Sequence, residues 1–133
     1  MSYDDEALVR RFTDSWVADD LDAILACIDP EMEFDWTESI SPFKDVYKGR
    51  EGLEAFWAEM RETWARFTPR IDRVIDCGEG SLVTTVTVFG QARTSGIELE
   101  AHGAILWAVR EGRIVHGKLF QNERDAVAAA GEA

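Results

Sequence analysis

Asp35 stands between Phe34 and Trp36, and Glu38 follows three residues on. A carboxylate held among aromatic side chains suits general-base chemistry, because desolvation raises its pKa toward neutral pH. The extended segment around it complicates that reading. Side chains alternate on a strand, so Met32, Phe34 and Trp36 form one apolar set and Glu33 and Asp35 the opposite one. A one-residue bulge would turn Asp35 inward; without it Asp35 is a solvated charge behind a buried face. Both readings stand. Glu38 and Tyr47 fall in 37–48, a stretch with Ser, Pro and Asp that reads as a loop over a cavity mouth. Loop residues at a mouth often carry function, although a single glutamate there equally reads as surface. Gln121 is the one polar side chain placed on the inner side of the last strand, where it either orients a ligand or satisfies a backbone group.

His102 and His116 have no neighbours at metal-ligand spacing, and Cys27 and Cys77 lie far apart outside any zinc-like pattern. The expectation is no metal, no organic cofactor and two reduced structural thiols, as in a cytoplasm. Trp16, Trp36, Trp57 and Trp107, four of the five tryptophans, read either as the aromatic lining of a cavity or as core filling, with Trp64 as core.

The elements that position these residues follow from periodicity. Leu8, Phe12 and Trp16 make one stripe of a helix from about Asp4 to Ala18, capped by Ser2 or Asp5. Asp19 and Asp20 break it and start a short second helix with Leu21, Ile24, Leu25 and Ile28 buried, closed by Pro30. Leu53, Phe56, Trp57, Met60 and Trp64 give the helical repeat over Gly49–Ala65, ended by Pro69. Strands are expected near Arg70–Cys77, then at Ser81–Gln91, Ile97–Val109 and Ile114–Asn122, with a short helix in the alanine-rich tail. In the third strand Ile97, Leu99, Ala101, Gly103, Ile105, Trp107 and Val109 all share one face. A three-residue Arg110-Glu111-Gly112 loop, with Gly112 in the left-handed region, avoids forcing Glu111 to positive φ. It puts Val115, Gly117, Leu119 and Gln121 inside and His102, His116, Lys118 and Phe120 outside. The expected fold is α+β, a strongly curved antiparallel sheet wrapped around N-terminal helices and enclosing an apolar pocket. Ala104, Leu106, Ala108, Ile114 and Phe120 make the outer face apolar enough to predict a homodimer.

The chain has 133 residues, enough for one domain over 1–133 with its own core. Its 26 acidic against 14 basic residues give a formal charge of −12, which argues against nucleic acid and anionic membranes as partners. No apolar run approaches the ~20 residues that span a bilayer, and the acidic Met1–Glu6 start reads as neither secretory signal nor transit peptide. A cytoplasmic location is expected.

Arg11-Phe12, Ala18-Asp19-Asp20-Leu21-Asp22, Ile28-Asp29-Pro30-Glu31, Tyr47-Lys48-Gly49-Arg50-Glu51 and Arg110-Glu111-Gly112-Arg113-Ile114 occur in an order that resembles the nuclear transport factor 2-like superfamily. Within it the chain is similar to the SnoaL-like, polyketide cyclase-like branch. The resemblance implies a conical fold with an interior pocket, and it locates the usual catalytic positions. Phe12 stands where ketosteroid isomerase-like members have a tyrosine, and Trp36, beside Asp35, stands where they have the base. Ile105 takes the place of the second oxyanion donor, or of the cyclase histidine, and Leu119 that of the acid–base aspartate of the cyclases and of limonene epoxide hydrolase-like members. The ligand-binding set expected on these grounds is Phe12, Trp16, Phe34, Trp36, Tyr47, Trp57, Ile105, Trp107, Leu119 and Gln121. Two functions fit. One is a cofactor-independent cyclase, isomerase or dehydratase using Asp35 or Glu38 as base. The other is a non-catalytic protein that holds a hydrophobic small molecule.

Overall fold

The computed structural model describes residues 3–39 and 45–132. Ser2, named above as a helix cap, and residues 40–44 of the expected mouth loop lie outside that range. Helix α1 (Tyr3–Val17) buries Leu8, Val9 and Phe12. Its Thr13 and Ser15 are buried as well, because each hydroxyl donates to a carbonyl one turn back, Val9 O at 3.1 Å and Arg11 O at 2.7 Å. Asp19, at φ 58°, ends the turn, and Asp20 caps α2 (Leu21–Ala26) by accepting from Ala23 N at 3.1 Å.

β1 (Ile28–Asp35) begins directly after α2, so Pro30 lies inside a strand instead of closing a helix. β1 pairs Ile28 with Ile114 and then Glu33 with His116, and the chain between bulges outward around Pro30, which has no N–H to offer. β2 (Val46–Lys48), expected as loop, pairs with the end of β1. α3 (Gly49–Thr63) starts at a glycine with φ 66° whose added Cβ would stand 2.8 Å from Pro30 O. β3 (Trp64–Gly78) starts six residues earlier than expected. Pro69 sits within it, which an edge strand tolerates because one side of its backbone has no partner. β4 (Ser81–Ala92), β5 (Glu98–Arg110), β6 (Arg113–Phe120) and α4 (Glu123–Glu132) complete the chain.

The six strands form one curved, open sheet in the order β2-β1-β6-β5-β4-β3. Its hairpins are antiparallel, as expected, but β1 runs parallel to β6. That pairing sets the first strand, from the helical half, between β2 and β6.

The turn between β5 and β6 differs from the expected loop. Glu111 and Gly112 both take positive φ, 51° and 74°, so it is a two-residue primed turn pairing Arg110 with Arg113 and Val109 with Ile114. A bulge at Val115 then restores odd-to-odd pairing, Trp107 with Gly117 and Ile105 with Leu119. Before the bulge the faces are exchanged relative to expectation: Ile114 is core and Val115 half-buried. Ile105, Trp107 and Val109 face inward as expected, whereas Ile97 precedes β5 and is 65% exposed.

The helices α1, α2 and α3 fill the concave side, where Phe12, Ile24, Leu53 and Phe56 meet Phe34, Leu82, Trp107 and Ile114. The convex side has its own cover. α4 lays Ala126 on Val83, Ala104 and Phe120, and Arg73 Nη2 reaches Glu123 Oε1 at 3.2 Å. Much of the apolar surface that motivated a dimer is therefore buried within one chain. Among the described residues no helix is long and apolar enough to cross a membrane, and no group of His, Cys, Asp and Glu is gathered as a metal site would require.

Candidate ligand-binding chamber

The concave core leaves two adjoining cavities. The inner one, about 50 Å³, is walled by Phe12 and Trp16 of α1, Phe34 and Trp36 at the end of β1, and Ile105, Trp107 and Leu119 of the central strands. Phe56, Phe67, Pro69, Val86 and Val88 close it. The outer one, about 280 Å³, shares Trp36, Phe67, Val86, Val88 and Leu119 and extends past Trp64, Leu99 and Gly103 to Ser39 and Gln121. That volume approaches the lower end of small-molecule sites, roughly 300 Å³.

The inner wall is held by ring contacts. Phe34 stacks on Trp107 at 6.0 Å and 23°, Phe12 meets Trp107 edge-on at 5.4 Å, and Trp36 lies 4.8 Å from Phe56. Gly117 makes the stack possible, since a Cβ there would come within 2.9 Å of Phe34 and 3.3 Å of Trp107. Trp107 is anchored by its indole, whose Nε1 donates to Thr84 Oγ1 at 2.9 Å in the buried core. The indole N–H groups of Trp36, Trp57 and Trp64 are also buried, and have no acceptor among the described residues.

The carboxylates stand elsewhere. β1 has no bulge that turns Asp35 inward: Phe34 is core, and Asp35 lies opposite Lys118 on the parallel β6. Its Oδ1 accepts from Thr37 N at 2.9 Å and Thr37 Oγ1 at 2.6 Å, and Lys118 Nζ is 3.9 Å from Oδ2. Burial pulls this carboxyl's pKa up. The Thr37 hydrogen bonds and the charges of Lys118 and His116 outweigh it and hold the group below the usual carboxylate range. The raised pKa expected for a base is replaced by its opposite. Glu38 is exposed and pairs with the same lysine at 3.4 Å. Lys118 in turn lies over the Phe120 ring at 5.2 Å, on the convex side.

Other expected residues divide. Gln121 is on the rim and exposed, not buried; its amide donates to Glu38 O and ties the chain after β1 to the end of β6. Tyr47 is buried outside both cavities, its ring 4.7 Å from Phe56 and its hydroxyl donating to Glu59 Oε2 at 3.3 Å. Burial and Glu59 push that phenol up to about 12. Trp57 is also off the chamber, covered by Arg61 at 4.7 Å. His102 keeps its outward ring on Thr87 Oγ1 and Glu100 Oε2, each at 3.0 Å. The wall residues missed from sequence include Phe56, Phe67, Pro69, Val86, Val88 and Leu99, together with Trp64, which was read as core, and His102, which was read as outer-face. Alternation at Val86 and Val88, and at Phe67 and Ile71, was the available signal.

No curated protein matches this chain. The SnoaL-like domain family matches residues 9–117, most of the sequence. The chain belongs to the SnoaL-like family. Solved structures extend the likeness at the level of fold. An NTF2-like protein of unknown function from Burkholderia pseudomallei has a TM-score of 0.80 at 18% identity, covering 96% of this chain and 97% of that one. A protein assigned as a SnoaL-like polyketide cyclase from Jannaschia sp. CCS1 scores 0.74 at 20% identity, covering 96% and 90%. A Mycobacterium tuberculosis protein in complex with estradiol-17β-hemisuccinate scores 0.77 at 16% identity, covering 92% and 97%. In this SnoaL-like chain, the four positions at which the resemblance implies catalytic groups, Phe12, Trp36, Ile105 and Leu119, do converge on one chamber. All four are apolar.

Proposed function

We propose that this SnoaL-like protein binds a flat, hydrophobic small molecule in its aromatic chamber and lacks the acid–base machinery of the fold's enzymes. One observation carries the reading: among the described residues no Asp, Glu, Lys or Tyr lines either cavity, the ring of His102 on the outer one is bonded to Thr87 and Glu100, and Asp35 and Glu38 both pair with Lys118 outside them. Proton abstraction needs a free base within hydrogen-bond reach of the substrate, and the described walls are mainly indole, phenyl and aliphatic, with Thr13, Ser39 and Gln121 uncharged and the His102 imidazole engaged by Thr87 and Glu100. Such walls supply area and shape, which suits an apolar occupant. The estradiol hemisuccinate complex of the Mycobacterium tuberculosis neighbour is in keeping with a ligand of that kind. Self-association through the convex face would use Ala108 and His116, half-buried beside the cluster that α4 covers.

Native mass spectrometry of freshly purified protein tests the binding reading. A retained apolar molecule, released on denaturation, is expected. An empty chain that also fails to take up polycyclic compounds in a thermal-shift screen would contradict it.

A further inference from the structure

Three arginines of this acidic chain stand around one groove. It measures about 260 Å³ and lies between the ends of α1 and α3 and the start of β3. Its floor is a wall of the chamber: Trp16 and Phe67 also line the inner cavity, and Trp64 and Phe67 the outer one. Among its described lining residues Asp19 is the one acid, against Arg61, Arg66 and Arg93. The groove is therefore positive, three charges against one, in a chain of formal charge −12.

The three cations are not equivalent. Arg61 is spent: its Nη1 pairs with Asp19 Oδ2, and its guanidinium lies over Trp57 at 4.7 Å. Arg93 is fixed in place but not neutralised. Its Nε and Nη2 donate to Arg61 O at 3.0 and 2.8 Å, and Nη2 also to Trp64 O at 3.2 Å, which closes the end of α3. That cap occupies one edge of the guanidinium and leaves Nη1 with no acceptor among the described residues. Arg66 has only the uncharged Gln91 Oε1, at 3.4 Å. Arg10, Arg70 and Arg73, exposed as well, each hold a carboxylate; Arg66 and Arg93 hold none. A guanidinium held along one edge has little freedom left to lose, and its planar fork fits a carboxylate.

Building on the binding reading above, we propose that the ligand is a hydrophobic acid: its apolar body occupies the chamber, and its carboxylate passes Trp64 and Phe67 to lie between Arg66 and Arg93. The chamber walls recognise the body by area, and the two arginines select the anion. The chain as a whole repels a negative ligand, so a preference for the acid over a neutral relative comes from these local groups. No bond is made or broken.

The test uses the full chain with fluorene-9-acetic acid and its methyl ester, which share a body and differ by one charge. In isothermal titration at about 0.15 M salt, where long-range repulsion is screened, the acid is expected to bind about tenfold more tightly, as a hydrogen bond to a charged group gives. Arg66→Gln should lower the acid's affinity several-fold, and Arg66→Gln combined with Arg93→Gln should bring the two probes level. Arg93 also closes α3, so Arg66→Gln, which disturbs only the contact with Gln91, decides the matter if the double variant fails to fold. Val17 lines the groove and neither cavity, and gives a readout on the unmodified chain: its methyl signals should move with the acid and not with the ester. Acid bound no more tightly than ester, a preference that Arg66→Gln leaves whole, or Val17 unmoved with the acid bound overturns the inference and leaves the binding reading intact. Failure of both probes to bind overturns the two together.

Discussion

Replacing Thr84 by Val removes one oxygen from the centre of the sheet and strands one donor. Thr84 and Trp107 are 0% and 1% exposed, so no water replaces the lost acceptor of Trp107 Nε1. Valine keeps the side chain's shape, which isolates the hydrogen bond from packing. A buried donor left unsatisfied costs about 1–3 kcal/mol. With a urea dependence of ~1–3 kcal/mol per molar for a domain of this size, the unfolding midpoint should fall by roughly 1 M. The diagnostic step is a double-mutant cycle with Trp107→Phe. Trp107→Phe itself costs stability through lost packing, but in that background no donor remains, so Thr84→Val should cost close to nothing. An equal cost of Thr84→Val in both backgrounds would show that the hydroxyl does not hold the indole, and the contrast drawn with Trp36 and Trp64 would fall.

Gly117→Ala pushes a methyl to within 2.9 Å of Phe34, a ring already fixed against Phe12, Phe56 and Trp107; a loss of about 1–3 kcal/mol in chemical unfolding is expected, with weaker ligand uptake. Asp35→Asn should leave ligand binding unchanged. The folded pKa of Asp35 is depressed, so its stabilisation is present above the unfolded value of ~3.9 and fades as pH falls through the folded one. The variant should therefore be weaker than wild type at pH 7, by below about 1 kcal/mol, and match it near pH 2 in urea titrations. Ala126→Glu places a charge where α4 meets Val83, Ala104 and Phe120; it should release the helix, seen as lost circular dichroism and increased self-association in light scattering.

Much of the fold was legible because alternation and helical stripes are strong over long runs. Ile105 and Trp107 show it: their inward direction followed from period two alone, and holds. Leu119 faces the chamber as expected, but by a different route, since the primed turn at Glu111-Gly112 and the bulge at Val115 each change parity and together cancel. A bulge depends on tertiary pairing and leaves no local mark. The start of β3 was hidden because Trp64 fits both the last turn of a helix and the first position of a strand, while Pro69 reads as a breaker unless the strand is known to be an edge. The parallel pairing of β1 with β6 joins segments some 80 residues apart, and no spacing encodes it. The direction of Asp35 depended on that pairing: Lys118 is placed beside it only once β1 and β6 meet.

Methyl NMR on selectively labelled protein titrated with 9-fluorenone measures the central claim most directly, because the chamber and the surface carry separate methyl groups. Shifts are expected at Val86, Val88, Ile105 and Leu119, which wall the two cavities. Val17, Val127 and Ile97, exposed elsewhere, should stay unchanged. Perturbation confined to Val17, Val127 and Ile97, with Ile105 and Val86 unmoved, would contradict binding in the aromatic chamber.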